Sequence, residues 1–205
     1  MKAKWIFFDV GSTLVDEAMA YDHRAMDMIK DTNITFEDFD KKRREMALLG
    51  YDGNSAAIEF FGLKKTPWHI EDETLYKDAD YALKALRNRG YKLGIIANQL
   101  PGLKDRLNKW GVLEHFDLII TSSDVGVSKP NAKIFDMAIS KAKCSPEVCI
   151  MVGDRLDNDI IPANSIGMKT IWIKNGLAKL QNDDCGAKFA DYIVYNLAEI
   201  CNILN

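Results

Sequence analysis

The chain has 205 residues, 47% of them hydrophobic, so it is long enough to bury a core and short enough for one or two domains. A formal net charge of -3 gives no general attraction to nucleic acid or to anionic membranes. No apolar stretch approaches the length of a membrane span, and the four cysteines show no disulfide or metal-ligand spacing. We therefore expect a cytoplasmic protein with reduced thiols and with neither nucleic-acid nor membrane partners.

The first motif is a short apolar strand that ends on a carboxylate. Residues 5 to 8 are all apolar, and Asp9 follows them, with Gly11, Ser12 and Thr13 close behind. A strand that is apolar throughout is typical of a parallel sheet covered on both faces. Because open parallel sheets bind their ligands at the carboxyl ends of their strands, Asp9 is a candidate functional residue.

The segment between residues 16 and 78 has a different pattern, with apolar residues at helical spacing. Two helices are indicated over residues 18–29 and 36–46, and Asn54 is expected to cap a third short helix that ends at Gly62. No convincing strand is present in this segment. We therefore predict a small helical insert.

From residue 79 onward, strand and helix patterns alternate along the chain. Strands are predicted over residues 92–97, 117–121, 148–152, 170–173 and 192–194. Strand-helix-strand repeats of this kind predict an α/β fold with a doubly wound parallel sheet, which is a Rossmann-like core. We assign residues 1–15 and 79–205 to this core and residues 16–78 to the helical insert.

Several polar residues follow or flank the predicted strand ends and can therefore converge on one crevice. Asn98 follows the second long strand, and Asp154 follows the strand over residues 148–152, with Asp159 a few positions later. Lys129 precedes that strand, and the adjacent Pro130 fits the first turn of a helix. The three histidines show no ligand spacing and are expected to be surface or packing residues.

These motifs, in this order, resemble those of the haloacid dehalogenase superfamily, whose members are mostly phosphatases. Residues 9–13 are similar to the family's opening Asp-x-Asp-x-Thr at its first and last positions. Lys129 with Pro130 matches the Lys-Pro motif, and Gly153-Asp154 followed by Asp159 matches the acidic motif. The resemblance covers almost the whole chain.

The resemblance implies a role for each matching residue. Asp9 would be the nucleophile that forms an aspartyl-phosphate, and Lys129 would be catalytic and would contact the phosphoryl oxygens. Mg²⁺, which prefers hard oxygen ligands, would be held by Asp9, Asp154, Asp159 and the carbonyl of Gly11. The helical insert would be a cap that closes over the active site and selects a small phosphorylated substrate.

Two positions depart from the family pattern. Gly11 stands where the family has its second Asp, which acts as general acid and base; losing such catalysis typically costs roughly 10² to 10⁴-fold in rate. Ala97 stands where the family has a hydroxyl that donates to phosphate. We expect Asn98, through its amide or its backbone N–H, and Ser12 to act as substitute phosphate donors.

Three explanations for the missing proton donor at Gly11 remain open. The substrate can have a good leaving group, as in an acyl phosphate, a phosphoanhydride or a sugar 1-phosphate, and then needs no proton. Another residue can supply the proton, with Asp16, Tyr21 and His23 as candidates. The substrate can also carry its own proton donor.

The sequence therefore predicts a Mg²⁺-dependent phosphohydrolase that acts on a small phosphorylated metabolite. A non-catalytic protein that binds a phosphorylated ligand is the alternative, motivated by Gly11 and Ala97. A 2-haloacid dehalogenase is less favoured, because it has no need of Mg²⁺ whereas Asp154 and Asp159 are both retained. The substrate and the oligomeric state are not indicated by the sequence.

Overall fold

A computed structural model describes residues 3–204 as an α/β fold with one six-stranded parallel sheet and one two-stranded antiparallel ribbon. The strands are β1 (Trp5–Phe8), β2 (Val15–Asp16), β3 (Thr74–Leu75), β4 (Lys92–Ala97), β5 (Leu118–Thr121), β6 (Cys149–Gly153), β7 (Lys169–Ile173) and β8 (Tyr192–Val194). The helices are α1 (Ala18–Ile29), α2 (Phe36–Leu48), α3 (Gly53–Phe60), α4 (Ala79–Asn88), α5 (Leu103–Lys109), α6 (Ser122–Val125), α7 (Ala132–Ala142), α8 (Ile161–Ser165), α9 (Asp183–Gly186) and α10 (Leu197–Ile203). Across residues 3–204, no helix combines the length and the apolar character that crossing a bilayer requires.

The order of the parallel strands is β5-β4-β1-β6-β7-β8, so the first strand lies in the middle of the sheet. Phe8, the last residue of β1, is in register with Ile95 of β4 and Val152 of β6. Strands β4 and β5 add to one side of β1, and β6 to β8 add to the other. This reversal creates a crevice at the carboxyl end of β1, where α/β sheets bind ligands.

The sheet is covered on both faces, which explains the unbroken apolar run of β1. Ile6 and Phe8 face a core formed with α4, α5 and α10, whereas Trp5 and Phe7 face a second core formed with α7 and α8. Complete burial of a side chain such as Phe7 is worth roughly 1.5–3 kcal/mol. The predicted doubly wound parallel sheet is confirmed.

The helical insert has a small core of its own, in which Ala25, Met28, Phe39 and Ile58 are buried together. Helix α2 begins with a capping box between Thr35 and Asp38. Asp52, rather than Asn54, caps α3: its side chain accepts a hydrogen bond from Ser55 N at 3.2 Å. The prediction that Asn54 is the cap was therefore wrong by two residues.

Two further expectations about local structure are corrected. The segment from 16 to 78 does contain strand residues, because β3 pairs antiparallel with β2 where the chain leaves and re-enters the core. A strand of two residues is too short to give a periodic pattern. Pro130 lies before α7 rather than in its first turn, since Asn131 caps that helix by accepting from Lys133 N at 3.0 Å.

Candidate active site

Three carboxylates meet at the carboxyl edge of the sheet. Asp9 follows β1, Asp154 follows β6, and Asp159 lies in a π-helical turn over residues 156–160. One oxygen from each lies within 4.8 Å of the others, and all three residues are buried. Gly153 makes this approach possible, because a Cβ at that position would stand 2.4 Å from the Asp159 side chain.

Lys129 provides the positive charge of this cluster. Its Nζ donates to Asp9 Oδ1 at 2.7 Å and to Asp159 Oδ1 at 2.5 Å, and its side chain is completely buried. Burial acts to lower the pKa of Lys129, but the charges of Asp159 and Asp9 outweigh it and raise that pKa above the ordinary lysine value. The lysine is therefore a permanent cation at this edge of the sheet.

One ammonium group does not balance three carboxylates. Burial, followed by the charges of Asp159 and Asp9, raises the pKa of Asp154 well above that of an ordinary aspartate. Burial also raises the pKa of Asp159 to about 6, although the neighbouring Lys129 opposes this shift. The metal-free cluster therefore carries an excess of buried negative charge that a cation would relieve.

The residues around this cluster fit a hard divalent cation. Their donors are carboxylate oxygens, which Mg²⁺ prefers. The hydroxyl of Thr13 donates to Asp154 Oδ1 at 3.4 Å, and Arg155 N donates to Asp159 Oδ2 at 3.1 Å, so both carboxylates are held from outside the cluster. The carbonyl of Gly11, in the turn that follows Asp9, remains a predicted ligand.

Asn98 contacts Lys129 rather than an open phosphate site. Its Nδ2 donates to the Lys129 carbonyl at 2.9 Å, and its Oδ1 accepts from Lys129 N at 2.8 Å. The amide therefore fixes the backbone that carries the lysine. One N–H of Nδ2 has no partner in this contact, and the phosphate contact of Asn98 stays a prediction.

Glu17 is the site residue that the sequence did not reveal. A Cβ built on Gly11 would stand 2.4 Å from Glu17 Oε1, so this carboxyl group fills the space that a side chain at residue 11 would need. Ser12 Oγ, the other predicted phosphate donor, donates to Glu17 Oε2 at 3.4 Å. Burial, then the charges of Asp9 and Glu73, raises the pKa of Glu17 to about 8.

Asp16 and Tyr21, two of the three proton donors considered from sequence, line a cleft beside Ser12. Asp16 accepts from Ala18 N at 2.9 Å at the start of α1. Tyr21 packs edge-on against Trp68, and its burial raises the pKa of its hydroxyl well above the ordinary value. His23 bonds through Nδ1 to Asp72 at 2.9 Å.

A cleft of about 530 Å³ opens beside Ser12, between the helical insert and the segment that follows β7. Its lining includes the side chains of Tyr21, Arg43 and Lys174. A smaller cavity of about 50 Å³ is lined by Ser12 as well and extends to Asp154. The site therefore has space for a small molecule next to its carboxylates.

Known proteins resemble this chain in sequence and in fold. Residues 6–173 match the model of the haloacid dehalogenase-like hydrolase family. A glyceraldehyde 3-phosphate phosphatase of Pyrococcus furiosus is 30% identical over 99% of this chain and 93% of its own length. The pyrimidine 5'-nucleotidase YjjG of Escherichia coli is 30% identical over 84% of this chain and 87% of its own.

A solved structure has a similar fold. The crystal structure of a phosphatase of this superfamily from Thermococcus onnurineus is 28% identical, covers all of this chain and 98% of its own, and superposes with a TM-score of 0.67. The fold and the motifs define a hydrolase with an α/β core and a helical insert. The chain belongs to the haloacid dehalogenase-like hydrolase family and groups with its phosphatase-type members.

Proposed function

We propose that this protein is a Mg²⁺-dependent phosphohydrolase that acts through an aspartyl-phosphate on small phosphorylated metabolites. The observation that carries the proposal is the contact of Asp9 with Lys129, 2.7 Å apart, beside two further buried carboxylates. A carboxylate that follows the central strand and is held by a fixed cation suits nucleophilic attack on phosphorus.

The chemistry follows from the geometry of Asp9. Lys129 binds one carboxylate oxygen, which leaves the other free to form a bond to phosphorus while the bond from phosphorus to the leaving oxygen breaks. Water then attacks the phosphorus of the acyl phosphate and releases inorganic phosphate, with Asp9 regenerated. When bound to the carboxylate cluster, Mg²⁺ supplies positive charge that lets an anionic phosphoryl group approach.

We further propose that Glu17 carries the proton that an alkoxide leaving group needs. Asp9, Asp154 and Asp159 belong to the cation cluster, whereas Glu17 lies beside it with a hydroxyl as its hydrogen-bond partner. Glu17 would donate its proton as the leaving oxygen departs, and would recover a proton from the water that hydrolyses the acyl phosphate. A pKa of about 8 keeps the carboxyl group protonated at neutral pH.

This role for Glu17 changes the expected substrates. A site with its own proton donor can hydrolyse ordinary phosphate monoesters and has no need of an activated leaving group. The relatives are named for glyceraldehyde 3-phosphate and pyrimidine nucleotides, both of which are such esters. The cleft of about 530 Å³ has room for a sugar phosphate or a nucleoside monophosphate.

The proposal is tested by phosphate release from a panel of sugar phosphates and nucleoside monophosphates, with Mg²⁺ and with chelator. Asp9→Asn should abolish release, whereas Asp157→Asn, which changes an exposed carboxylate near the same edge, should not. The non-catalytic alternative predicts that wild-type protein binds Mg²⁺ and phosphate without turnover on any member of the panel. Turnover that persists in the Asp9→Asn variant would exclude the proposed nucleophile.

A further inference from the structure

A second cluster of metal-binding side chains lies on the helical insert. His23 and Asp27 are one turn apart on α1, and His69 approaches them from the segment that returns to the core. One ligand atom from each of the three residues lies within 4.8 Å of the others. The two imidazole rings are stacked with centroids 3.5 Å apart, and His69 Nε2 lies 2.8 Å from Asp27 Oδ2.

Each histidine of this cluster also bonds to an outer carboxylate. His23 Nδ1 lies 2.9 Å from Asp72 Oδ2, and His69 Nδ1 lies 3.1 Å from Glu71 Oε1. His23 Nδ1–H donates to Asp72, so Nε2 of that ring carries the lone pair. In His69 both ring nitrogens face carboxylates, which only accept, so a bound ion would replace the proton that Nε2 donates to Asp27. Metal-ligating histidines are oriented in the same way, with one ring nitrogen held by a carboxylate and the other on the ion.

The charges and the exposure of the cluster suit a cation from solvent. Asp27, Glu71 and Asp72 place three carboxylates around two imidazoles, and the nearby Arg24 lies over the Trp68 ring instead, 5.5 Å from its centroid. The side chains of His23 and Asp27 are 45% and 40% exposed. An ion from solvent can therefore reach His23 and Asp27.

We propose that His23, Asp27 and His69 form a binding site for a divalent transition-metal ion of the Zn²⁺ class. Two imidazoles and one carboxylate are ligands that Zn²⁺ accepts, with water completing a tetrahedron. The ligands of a tetrahedral ion approach it from different directions, so binding would separate the two stacked rings. This site is separate from the carboxylate cluster at Asp9, which offers oxygen donors alone, and it does not depend on the proposed phosphatase activity.

A metal ion at this site would affect the segment that carries His69 and leads to β3. His69 is followed by Glu73, which accepts from Trp68 Nε1 at 2.7 Å and pairs with Arg106 of α5 at 3.2 Å. An ion that joins His69 to α1 would fix the segment just before β3 re-enters the core. The bound metal would thus stabilise the connection between the helical insert and the core.

The test uses imidazole NMR signals of the full chain during a Zn²⁺ titration with Mg²⁺ in excess. The sequence contains three histidines, so His115, which pairs with Asp80 at 3.1 Å elsewhere, serves as an internal control. The proposal predicts that signals of His23 and His69 shift together and saturate at one ion per chain. His115 should not respond.

Matched variants identify the ligands by calorimetry. His69→Gln and Asp27→Asn should each weaken Zn²⁺ binding at least about tenfold, and Asp72→Asn should weaken it about 10 to 100-fold through loss of the outer carboxylate. His115→Gln should leave binding unchanged, and circular dichroism checks that each variant is folded. Asp27→Asn retains both histidines, so it still tests the site if His69→Gln does not fold.

The thiol pair is the competing site for a soft ion. Cys144 Sγ and Cys149 Sγ lie 3.2 Å apart, and Zn²⁺ also accepts thiolates. Binding that survives in Cys144→Ser but is lost in His69→Gln supports the proposal. Binding that is lost in Cys144→Ser and unchanged in His69→Gln overturns it, as does the absence of any histidine shift in excess Zn²⁺.

Discussion

The carboxylate of Glu17 and the backbone of Gly11 share one space. A Cβ on residue 11 would lie 2.4 Å from Glu17 Oε1 and 2.5 Å from Oε2, far inside van der Waals contact. A side chain at position 11 therefore requires the Glu17 carboxyl group, the end of a flexible side chain, to move out of this space. This relationship links the missing acidic residue of the first motif to a buried carboxyl group six residues later.

The first prediction concerns variants that move the carboxyl group from position 17 to position 11. Gly11→Asp alone should destabilise the protein by about 1–3 kcal/mol, because the new side chain overlaps Glu17. The double variant Gly11→Asp with Glu17→Ala should recover most of that stability and should hydrolyse alkyl phosphates faster than Glu17→Ala alone. Thermal unfolding and phosphate release measure both effects, and a double variant less stable than Gly11→Asp would contradict the shared space.

The second prediction concerns the proton. Glu17→Gln keeps the shape of the side chain but lacks the acidic proton, so hydrolysis of alkyl phosphates should slow by roughly 10² to 10⁴-fold. Activated esters such as para-nitrophenyl phosphate should be affected far less. Rates across a series of leaving groups would show a steep dependence in the variant and a shallow one in the wild type. Equal slopes would exclude Glu17 as the donor.

The sequence could predict the residues whose position follows from a strand end. Asp9 and Asp154 are adjacent to the last residues of β1 and β6, and a parallel sheet brings these ends to one edge. Lys129 and Asp159 were implied by the motif order. In each case a short range of sequence, or a regular sheet, fixes where the side chain lies.

The sequence could not predict the contacts that depend on irregular backbone or on distant pairing. Glu17 reaches Gly11 because the chain turns sharply at Ser12, which has a φ of 52°. The stacked rings of His23 and His69 lie 46 residues apart in the chain. A periodic sequence pattern does not predict contacts between such distant segments. The sequence also contained no sign that the Asn98 amide bonds to the Lys129 backbone.

The third prediction tests the buried ion pairs of Lys129. Lys129→Met should lower the free energy of unfolding by about 3–5 kcal/mol, because Asp9 and Asp159 lose their buried counter-charge. Mg²⁺ should restore part of the loss by binding the same carboxylates. Lys104→Met, at an exposed position, is the control and should unfold like the wild type. A Lys129→Met variant as stable as that control would contradict the charge balance described for the site.

The fourth prediction follows from the raised pKa values of two acids. A folded-state pKa above the ordinary value means that ionisation disfavours the folded state, so stability falls as pH rises through that range. Burial raises the pKa of Asp159 from 3.8 to about 6 and that of Glu17 from 4.5 to about 8. Metal-free protein should therefore unfold at lower temperature at pH 8.5 than at pH 5.

Mg²⁺ and the Glu17→Gln variant separate the contribution of the aspartates from that of Glu17. Saturating Mg²⁺ should reduce the loss of stability that Asp159 causes up to about pH 6, because the cation favours the ionised aspartates. Glu17→Gln should reduce the loss of stability across the whole range from about pH 4.5, where the unfolded-state acid ionises, to about pH 8. A metal-free protein whose melting temperature rises steadily from pH 5 to 8.5 would show that these carboxyl groups are not strained by ionisation.

The fifth prediction concerns the ion pair that joins the helical insert to the core. Arg155 Nη1 lies 2.8 Å from Asp52 Oδ2, and both residues line the smaller cavity that extends to Asp154. Asp52→Asn keeps the cap of α3 but removes the charge, so the insert should close less firmly and KM should rise a few-fold with kcat nearly unchanged. Asp157→Asn removes the other partner of Arg155, which lies within the core, and should leave KM unaffected.

Asp9 should become phosphorylated during turnover, and this intermediate can be trapped. Enzyme mixed with a substrate from the panel and Mg²⁺ is quenched in acid within the first turnover, digested and analysed by mass spectrometry. We expect one added phosphoryl group on the peptide that contains Asp9, absent in the Asp9→Asn variant. Turnover with no adduct on that peptide, or an adduct on another residue, would contradict this expectation.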